Sequence, residues 1–430
     1  MKIMWTSKIA LVSLLLSLAL VLSVYAYDDK HENISSTIQA SEIISKILKG
    51  EAVNYGYVTI KGNIYLNREK LSSNSIKSSI EIKNSRFIGF VFFDDIIFNN
   101  KVDFENTEFY GDALFYKNEF DQDVSFYKST FRNRTIFSNS VFHSNADFRD
   151  IQIIGKAYFY NTKFSSSFFS KSEFNNYITF IGAQFNDFAD FYGSRFGGRA
   201  LFTSAKFKNN VVFDRSYFMG DANFWNATFN GIARFNLTVF ENIADFREAQ
   251  FNNELDLNGI YFSDILIFWD SIKDNLSCGN STYLALIKNF KEKGQYEDAR
   301  NCYYNYKNLL RINMPLGVST PIEYLSWISC GYGVRPSFTI LWISFHILLF
   351  AVIYWRSTRD SNKLLKNKKN IILQFVGPLY FSFLVFFHIK RAPYSKKYKV
   401  QSWLFSLEEL LGWFFLGLVL FVLFNKMITW

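Results

Sequence analysis

The chain has 430 residues, of which 20% are aromatic, including 50 Phe, and its formal net charge is +9. That charge is typical of nucleic-acid binding, but residues 85–272 carry 17 Lys or Arg against 23 Asp or Glu, whereas residues 337–430 carry 12 against 3. The excess lies beside hydrophobic segments and favours a membrane surface over nucleic acid.

Catalytic and cofactor motifs are missing from the sequence in any usable context. The four His residues are scattered, and there is no Gly-rich phosphate loop or nucleophile elbow. Three Cys do not make a disulfide framework; Cys278 and Cys302 could pair or could both be free. We therefore expect no enzyme, no metal and no cofactor.

Residues 1–26 have the pattern of a secretory signal peptide. Lys2 and Lys8 precede the apolar run 9–24, and a small residue, Ala26, stands at the expected cleavage position. The alternative is an uncleaved anchor helix, because the run is almost long enough to span a bilayer. Either alternative places the following chain outside the cytoplasm.

Residues 27–84 are predicted to form an N-terminal cap. A short amphipathic helix over 41–50 begins at Ser41 and ends at Gly50. Strand-like alternation over 53–66 leads into the next domain. A cap would cover the first open strand edge, which could otherwise pair with another chain.

Residues 85–272 contain a Phe ladder, in which Phe recurs at alternating steps of six and five residues. It runs from Phe87 to Phe251, with Ile at position 153, an irregular pair of five-residue steps at Phe169 and Phe174, and a final group Leu257, Phe262 and Phe268. Neither a helix nor a flat sheet has this period, so we predict stacked coils. We assign these ladder residues to the interior: Phe104, Phe126, Phe148, Phe180, Phe202, Phe213, Phe224, Phe235 and Phe246.

A small or β-branched residue stands two places before most ladder positions, and polar residues fill the intervals. This pattern resembles the pentapeptide-repeat family, in a Phe-rich form found in methanogenic archaea. The resemblance implies a β-solenoid, a right-handed four-sided β-helix, with the ladder inside. Alternating steps give 22 residues per coil and about eight coils, a rod roughly 40 Å long at ~4.8 Å per coil.

Residues 273–336 are predicted to form a helical hairpin that serves as linker and C-terminal cap. An apolar stripe over 284–290 precedes Gly294, and a Tyr-rich stripe with helical spacing follows over 296–310.

Residues 337–430 are predicted to be a membrane region. The segments 337–355 and 403–424 are long enough to span a bilayer, and 371–389 is interrupted by Gly377 and Pro378. If 371–389 is re-entrant, both basic loops face the cytoplasm, as the positive-inside rule requires. If it spans, loop 390–402 is external. We favour the re-entrant form.

This C-terminal region also resembles the two-helix pore module of potassium-type channels. The resemblance rests on Gly294–Ala299 with Cys302–Tyr304, on Leu325–Trp327 with Cys330–Pro336, and on Leu379–Ser382 with Leu407–Phe414. It implies a pore helix over 379–387 and a pore region that includes Phe386, His388, Glu408 and Glu409. The expected filter position, 386–393, has no Gly and carries Lys390 and Arg391, which departs from a potassium filter.

The sequence therefore favours a membrane-anchored scaffold at the cell membrane with its β-helix outside the cytoplasm. Expected partners are the lipid bilayer and a protein or envelope polymer on the β-helix faces, with a homo-oligomer as an option. The alternative is an ion channel or channel-like subunit with a degenerate pore, non-selective or non-conducting.

Overall fold

A computed structural model describes residues 36–71, 74–315, 317, 320–361, 371–389 and 401–428. The signal-peptide prediction for 1–26 lies outside these residues. The chain divides after Thr282 into two compact units, an all-parallel β-solenoid and a helical unit. The predicted fold class, a β-solenoid followed by helices, is confirmed.

The solenoid has four sides, because each turn of the chain adds one short strand to each of four parallel stacks. Side 1 contains Ser36–Gln39, Val58–Lys61, Arg86–Phe87, Glu108–Phe109, Thr130–Phe131, Gln152–Ile153, Glu173–Phe174, Arg195–Phe196, Tyr217–Phe218, Val239–Asp245 and Tyr261–Leu266. Side 2 contains Ile64–Asn67, Val91–Asp94, Ala113–Tyr116, Thr135–Ile136, Ala157–Tyr158, Ile178–Thr179, Ala200–Leu201 and Ala222–Asn223, and the last two strands of side 1 turn the corner to join it.

Side 3 contains Ser75–Ile76, Ile97–Phe98, Glu119–Phe120, Val141–Phe142, Lys163–Phe164, Gln184–Phe185, Lys206–Phe207, Thr228–Phe229 and Gln250–Phe251. Side 4 contains Val53–Gly56, Ile80–Lys83, Val102–Asp103, Val124–Ser125, Ala146–Asp147, Ser167–Phe168, Ala189–Asp190, Val211–Val212, Ala233–Arg234, Leu255–Asp256 and Leu276–Ser277.

The strand register shows the length of each coil. Val102 pairs with Val124, and the same interval recurs through most of the solenoid, as the alternating steps of the ladder require. Ala146 pairs with Ser167, so the irregular step at Phe169 makes one coil a single residue shorter than the others. The solenoid has about 11 turns rather than the eight expected, which makes it roughly 50 Å long at ~4.8 Å per turn.

The additional turns come from residues that we had placed in the N-terminal cap. Ser36 already pairs with Val58 on side 1, and Val53 pairs with Ile80 on side 4. The interval between Val53 and Ile80 is longer than the interval of the regular coils, because an insertion that includes the 3-10 helix Arg68–Lys70 lengthens this coil. Helix α1, Ala40–Lys49, follows the first strand and ends at Gly50 with a φ of 72°.

The nine ladder residues that we assigned to the interior are all buried, with at most 2% of their surface exposed. Each ring stacks on the ring one coil away; Phe202 and Phe224, for example, have centroids 4.9 Å apart and an interplanar angle of 6°. Rings of sides 2 and 4 meet edge to face, as Phe213 and Phe224 do at 5.5 Å and 83°. Both geometries suit the quadrupole of aromatic rings.

The end of the ladder differs from the prediction. Phe268 is 45% exposed, and Ile267 takes the inward position. The register between the last two long strands changes by one residue between Phe240 and Ile243. A one-residue shift moves every following side chain to the opposite face of a strand, which accounts for the outward Phe268.

The helices after the solenoid begin with α2, Trp269–Ile272, and continue with α3, Asn280–Glu292, and α4, Tyr296–Ile312. They are followed by α5, Thr320–Cys330, α6, Pro336–Ser361, α7, Ile371–Phe386, and α8, Ser402–Ile428.

Two helical segments, Pro336–Ser357 and Ser402–Phe424, are long and apolar enough to cross a membrane. Helix α7 has only 16 residues and runs continuously through Pro378. The sequence Gly331–Gly333 forms the turn between α5 and α6, with φ of 55°, 59° and 79°. Cys278, Cys302 and Cys330 do not form disulfides.

Candidate functional site

The outward residues of side 2 form a stripe that we call the apolar column. It consists of Tyr65, Phe92, Leu114, Ile136, Tyr158 and Leu201, which follow one another in register, with the buried Thr179 between the last two and the polar Asn223 after Leu201. Tyr65 stacks on Phe92 with ring centroids 5.1 Å apart. Because inward and outward side chains alternate along a strand, this column faces away from the Phe core.

The equivalent outward positions of side 3 are mainly polar. They are Ile97, Glu119, Val141, Lys163, Gln184, Lys206, Thr228 and Gln250. The two sides have the same coil geometry and differ in the chemistry of their surface. An exposed apolar patch on a protein surface can mark an interaction site.

Side 4 carries a buried carboxyl group with two cations. Asp103 is 3% exposed, and the Nζ atoms of Lys83 and Lys101 each lie 2.8 Å from its Oδ2. Burial by itself would raise the pKa of Asp103, but hydrogen bonds from Lys101 and Lys83 outweigh it and hold the pKa below its usual range. This cluster fixes neighbouring coils to one another.

The helical unit contains a second buried carboxyl group, Glu408 on α8, which is 0% exposed. The hydroxyl of Tyr354 on α6 donates a hydrogen bond to its Oε2. The Oγ of Ser382 on α7 lies 2.5 Å from its Oε1 and 2.9 Å from the carbonyl oxygen of Ile347 on α6. One polar cluster therefore joins all three helices.

Of the other residues of the expected pore region, Phe386 lies on α7, Glu409 lies on α8, and His388 follows the end of α7. Phe386 is 0% exposed and packs with Ile347 and Phe415. The ring of His388 lies 4.8 Å from that of Trp413. Glu409, beside Glu408, is half-buried.

Helices α7 and α8 approach closely at Gly412. A Cβ atom on Gly412 would lie 2.1 Å from the carbonyl oxygen of Phe386. Only glycine leaves room for this backbone, as is common where membrane helices pack.

Sequence reasoning singled out Glu408 and Glu409 but assigned no role to Tyr354, or to Ser382 within the quoted segment Leu379–Ser382. A carboxyl group in an apolar segment signals function, but its partners are distant in the chain, and no local spacing connects them. The apolar column was also missed, although the recurrence of apolar residues at outward positions one coil apart was visible in the sequence once the coil length was known.

Among the residues that the structure describes, no group of three or more His, Cys, Asp or Glu is placed to hold a metal ion. The candidate features of this protein are the apolar column and the buried carboxyl cluster of Glu408.

The comparison with protein families gives one match. A family model described as pentapeptide repeats (9 copies) matches residues 180–228 and 191–238, within the solenoid. No curated protein and no solved structure matches the chain significantly. The matched repeats, the four-sided coil and the buried Phe ladder together support the pentapeptide-repeat family for the solenoid of this protein.

Proposed function

We propose that this protein is a membrane-anchored interaction scaffold whose solenoid lies outside the cytoplasm and binds a partner protein. The observation that carries the proposal is the apolar column of side 2, in a chain whose described residues include two helices able to cross a membrane. Rigid stacked coils display that column at a fixed spacing and need no ligand to order it.

The chemistry of the apolar column favours a protein partner over an envelope polymer. Leu114, Ile136 and Leu201 offer aliphatic surface without hydrogen-bonding groups, which suits the apolar centre of a protein interface. Tyr158 and the exposed rings of Tyr160 and Trp225 are residues that dominate such interfaces. A hydroxyl-rich polymer would need more polar partners than this stripe supplies.

The proposal is tested with the full chain in its native membrane. Photo-crosslinking residues at Ile136 and Leu201 should give the same discrete adduct, whereas the matched position Val141 on side 3 should give none. Lys208→Cys should react with a membrane-impermeant thiol reagent in intact cells. Adducts of equal yield from sides 2 and 3 would contradict binding of a partner on the apolar column. Labelling of Lys208→Cys only after lysis would contradict the orientation of the solenoid.

A channel-like subunit is the second candidate. It is favoured by α7, an apolar helix of 16 residues that contacts both long helices, as a short pore helix would. The burial of Phe386 and Glu408 argues that neither lines a water-filled path within one chain. Purified protein in planar bilayers should carry no current under the scaffold hypothesis. Ion currents that disappear with Glu408→Ala would favour the channel.

A further inference from the structure

The oxygen–oxygen contacts around Glu408 limit where its proton can lie. A serine hydroxyl has one hydrogen to donate. The Oγ of Ser382 nevertheless lies within hydrogen-bond distance of two oxygens, the Ile347 carbonyl at 2.9 Å and Glu408 Oε1 at 2.5 Å. For both contacts to be hydrogen bonds, one of them must receive its hydrogen from another group.

Carbonyl oxygens carry no hydrogen, so the additional hydrogen must be on the carboxyl group. With a neutral Glu408, the carboxyl O–H donates to Ser382 Oγ, and the Ser382 O–H donates to the Ile347 carbonyl. The Tyr354 hydroxyl donates to the other carboxyl oxygen. Each short contact then contains one hydrogen, and no two acceptors face each other.

An ionised Glu408 leaves this arrangement incomplete. The Ser382 hydrogen would turn to the carboxylate, and the serine oxygen would face the Ile347 carbonyl at 2.9 Å with no hydrogen between them. Among the described residues, no Lys, Arg or His forms an ion pair with Glu408. An uncompensated buried charge is costly inside a protein and still more so in a membrane.

The groups that face Glu408 are Tyr354 from α6, Ser382 from α7 and its neighbour Glu409 on α8. The rings of His346 and His388 contact Phe415 and Trp413 of α8 instead. Glu409 would oppose ionisation further, because two adjacent carboxylates repel each other.

We propose that Glu408 is a proton-binding site: the α6–α7–α8 bundle holds it as a neutral carboxylic acid, and the bound proton is part of the contact between the three helices. Glu408 lies in the second turn of α8, so separation of the helices would expose it to water at the membrane surface, where a carboxyl group is ionised near neutral pH. Folding of the bundle therefore takes up one proton, and its stability falls as the pH rises.

Infrared spectroscopy of the full-length protein in lipid vesicles tests this directly. We expect the wild-type spectrum at pH 7 to contain a carbonyl stretch of one neutral carboxyl group that E408Q lacks and E409Q retains. The same band in the wild type should shift in D₂O, which needs no variant. The proposal would be overturned if the difference spectrum, wild type minus E408Q, contained carboxylate bands and no band of a neutral carboxyl group.

Thermal unfolding gives an independent readout. The amide of E408Q keeps a neutral group that can donate to Ser382, so this variant should melt near the wild-type temperature at pH 6. Between pH 6 and pH 9 the helical unit of the wild type should lose stability while that of E408Q should not. Parallel pH profiles for the two proteins would contradict proton uptake.

Discussion

The ring of Phe191 lies parallel to the ring of Phe213, its equivalent in the next coil; their centroids are 4.8 Å apart and their interplanar angle is 6°. Phe235 continues the stack on the other side of Phe213 at 5.0 Å. Each coil thus fixes the position of the next through an aromatic contact as well as through backbone hydrogen bonds.

Phe213→Ala should cost about 3–5 kcal/mol of the free energy of unfolding, because it removes a ring packed on every side and leaves a cavity. Lys208→Ala, at an exposed corner, should change it by less than about 0.5 kcal/mol. Thermal or chemical unfolding of both variants checks the difference. Equal shifts would show that the Phe ladder is not the core.

Leu237→Asn should stabilise the protein by about 0.5–1 kcal/mol, because Asn tolerates the left-handed backbone conformation better than Leu does. Leu237 is 49% exposed and has a φ of 56°, a conformation that costs most side chains roughly 1–2 kcal/mol. At the same corner, one and two coils closer to the N-terminus, Arg215 and Gly193 also have a positive φ. Ile154→Asn is the control: this residue is also exposed but is not among those with a positive φ, so its variant should give no gain in melting temperature.

Gly155→Ala should destabilise the solenoid by about 1–3 kcal/mol, because a Cβ there would lie 2.2 Å from the carbonyl oxygen of Asn133 in the preceding coil. Gly56→Ala is the matched control, since its Cβ would meet nothing closer than 3.9 Å. If both variants unfold at the same temperature, the coils are not stacked as closely as described.

Asp103→Asn should lose about 1–3 kcal/mol at pH 7, where the carboxylate accepts hydrogen bonds from two lysines. The folded pKa of Asp103 lies below its usual value near 4. The ionised Asp103 therefore contributes fully to the free energy of unfolding above the usual pKa, and this contribution is lost as the pH falls through the lower pKa of the folded state. Unfolding curves of the wild type and the variant should converge in acid, and those of the exposed Glu254→Gln control should remain close to the wild type throughout. A constant gap between wild type and Asp103→Asn would contradict the ion pairing.

Much of the fold could be predicted from local spacing. The alternation of six and five residues specifies which Phe side chains point inward, since both turns and strands are short and every coil repeats the same geometry. Phe104 and Phe246 were assigned correctly for this reason. Phe268 was not, because the one-residue register change before it arises from pairing with the preceding coil and leaves no mark in the spacing of Phe itself.

The candidate site was less predictable because it depends on contacts between distant segments. Glu408 stands out in an apolar run, but Tyr354 and Ser382 look like ordinary residues of membrane helices. The number of turns was underestimated for a similar reason: the insertion before Ser75 hides the repeat, so Ile60 and Leu66 did not appear to belong to the same core as Phe87.

The central claim is that positions one coil apart, such as 206 and 228, lie side by side on neighbouring coils. A disulfide between Lys206→Cys and Thr228→Cys tests this claim most directly. These positions are register partners on side 3, and coils ~4.8 Å apart bring their Cα atoms within the range that a disulfide spans. Oxidation of the purified protein followed by peptide mass mapping should show this link and none between Lys206→Cys and Tyr217→Cys, which lie on opposite sides of the coil. A link in the second pair but not in the first would contradict the solenoid.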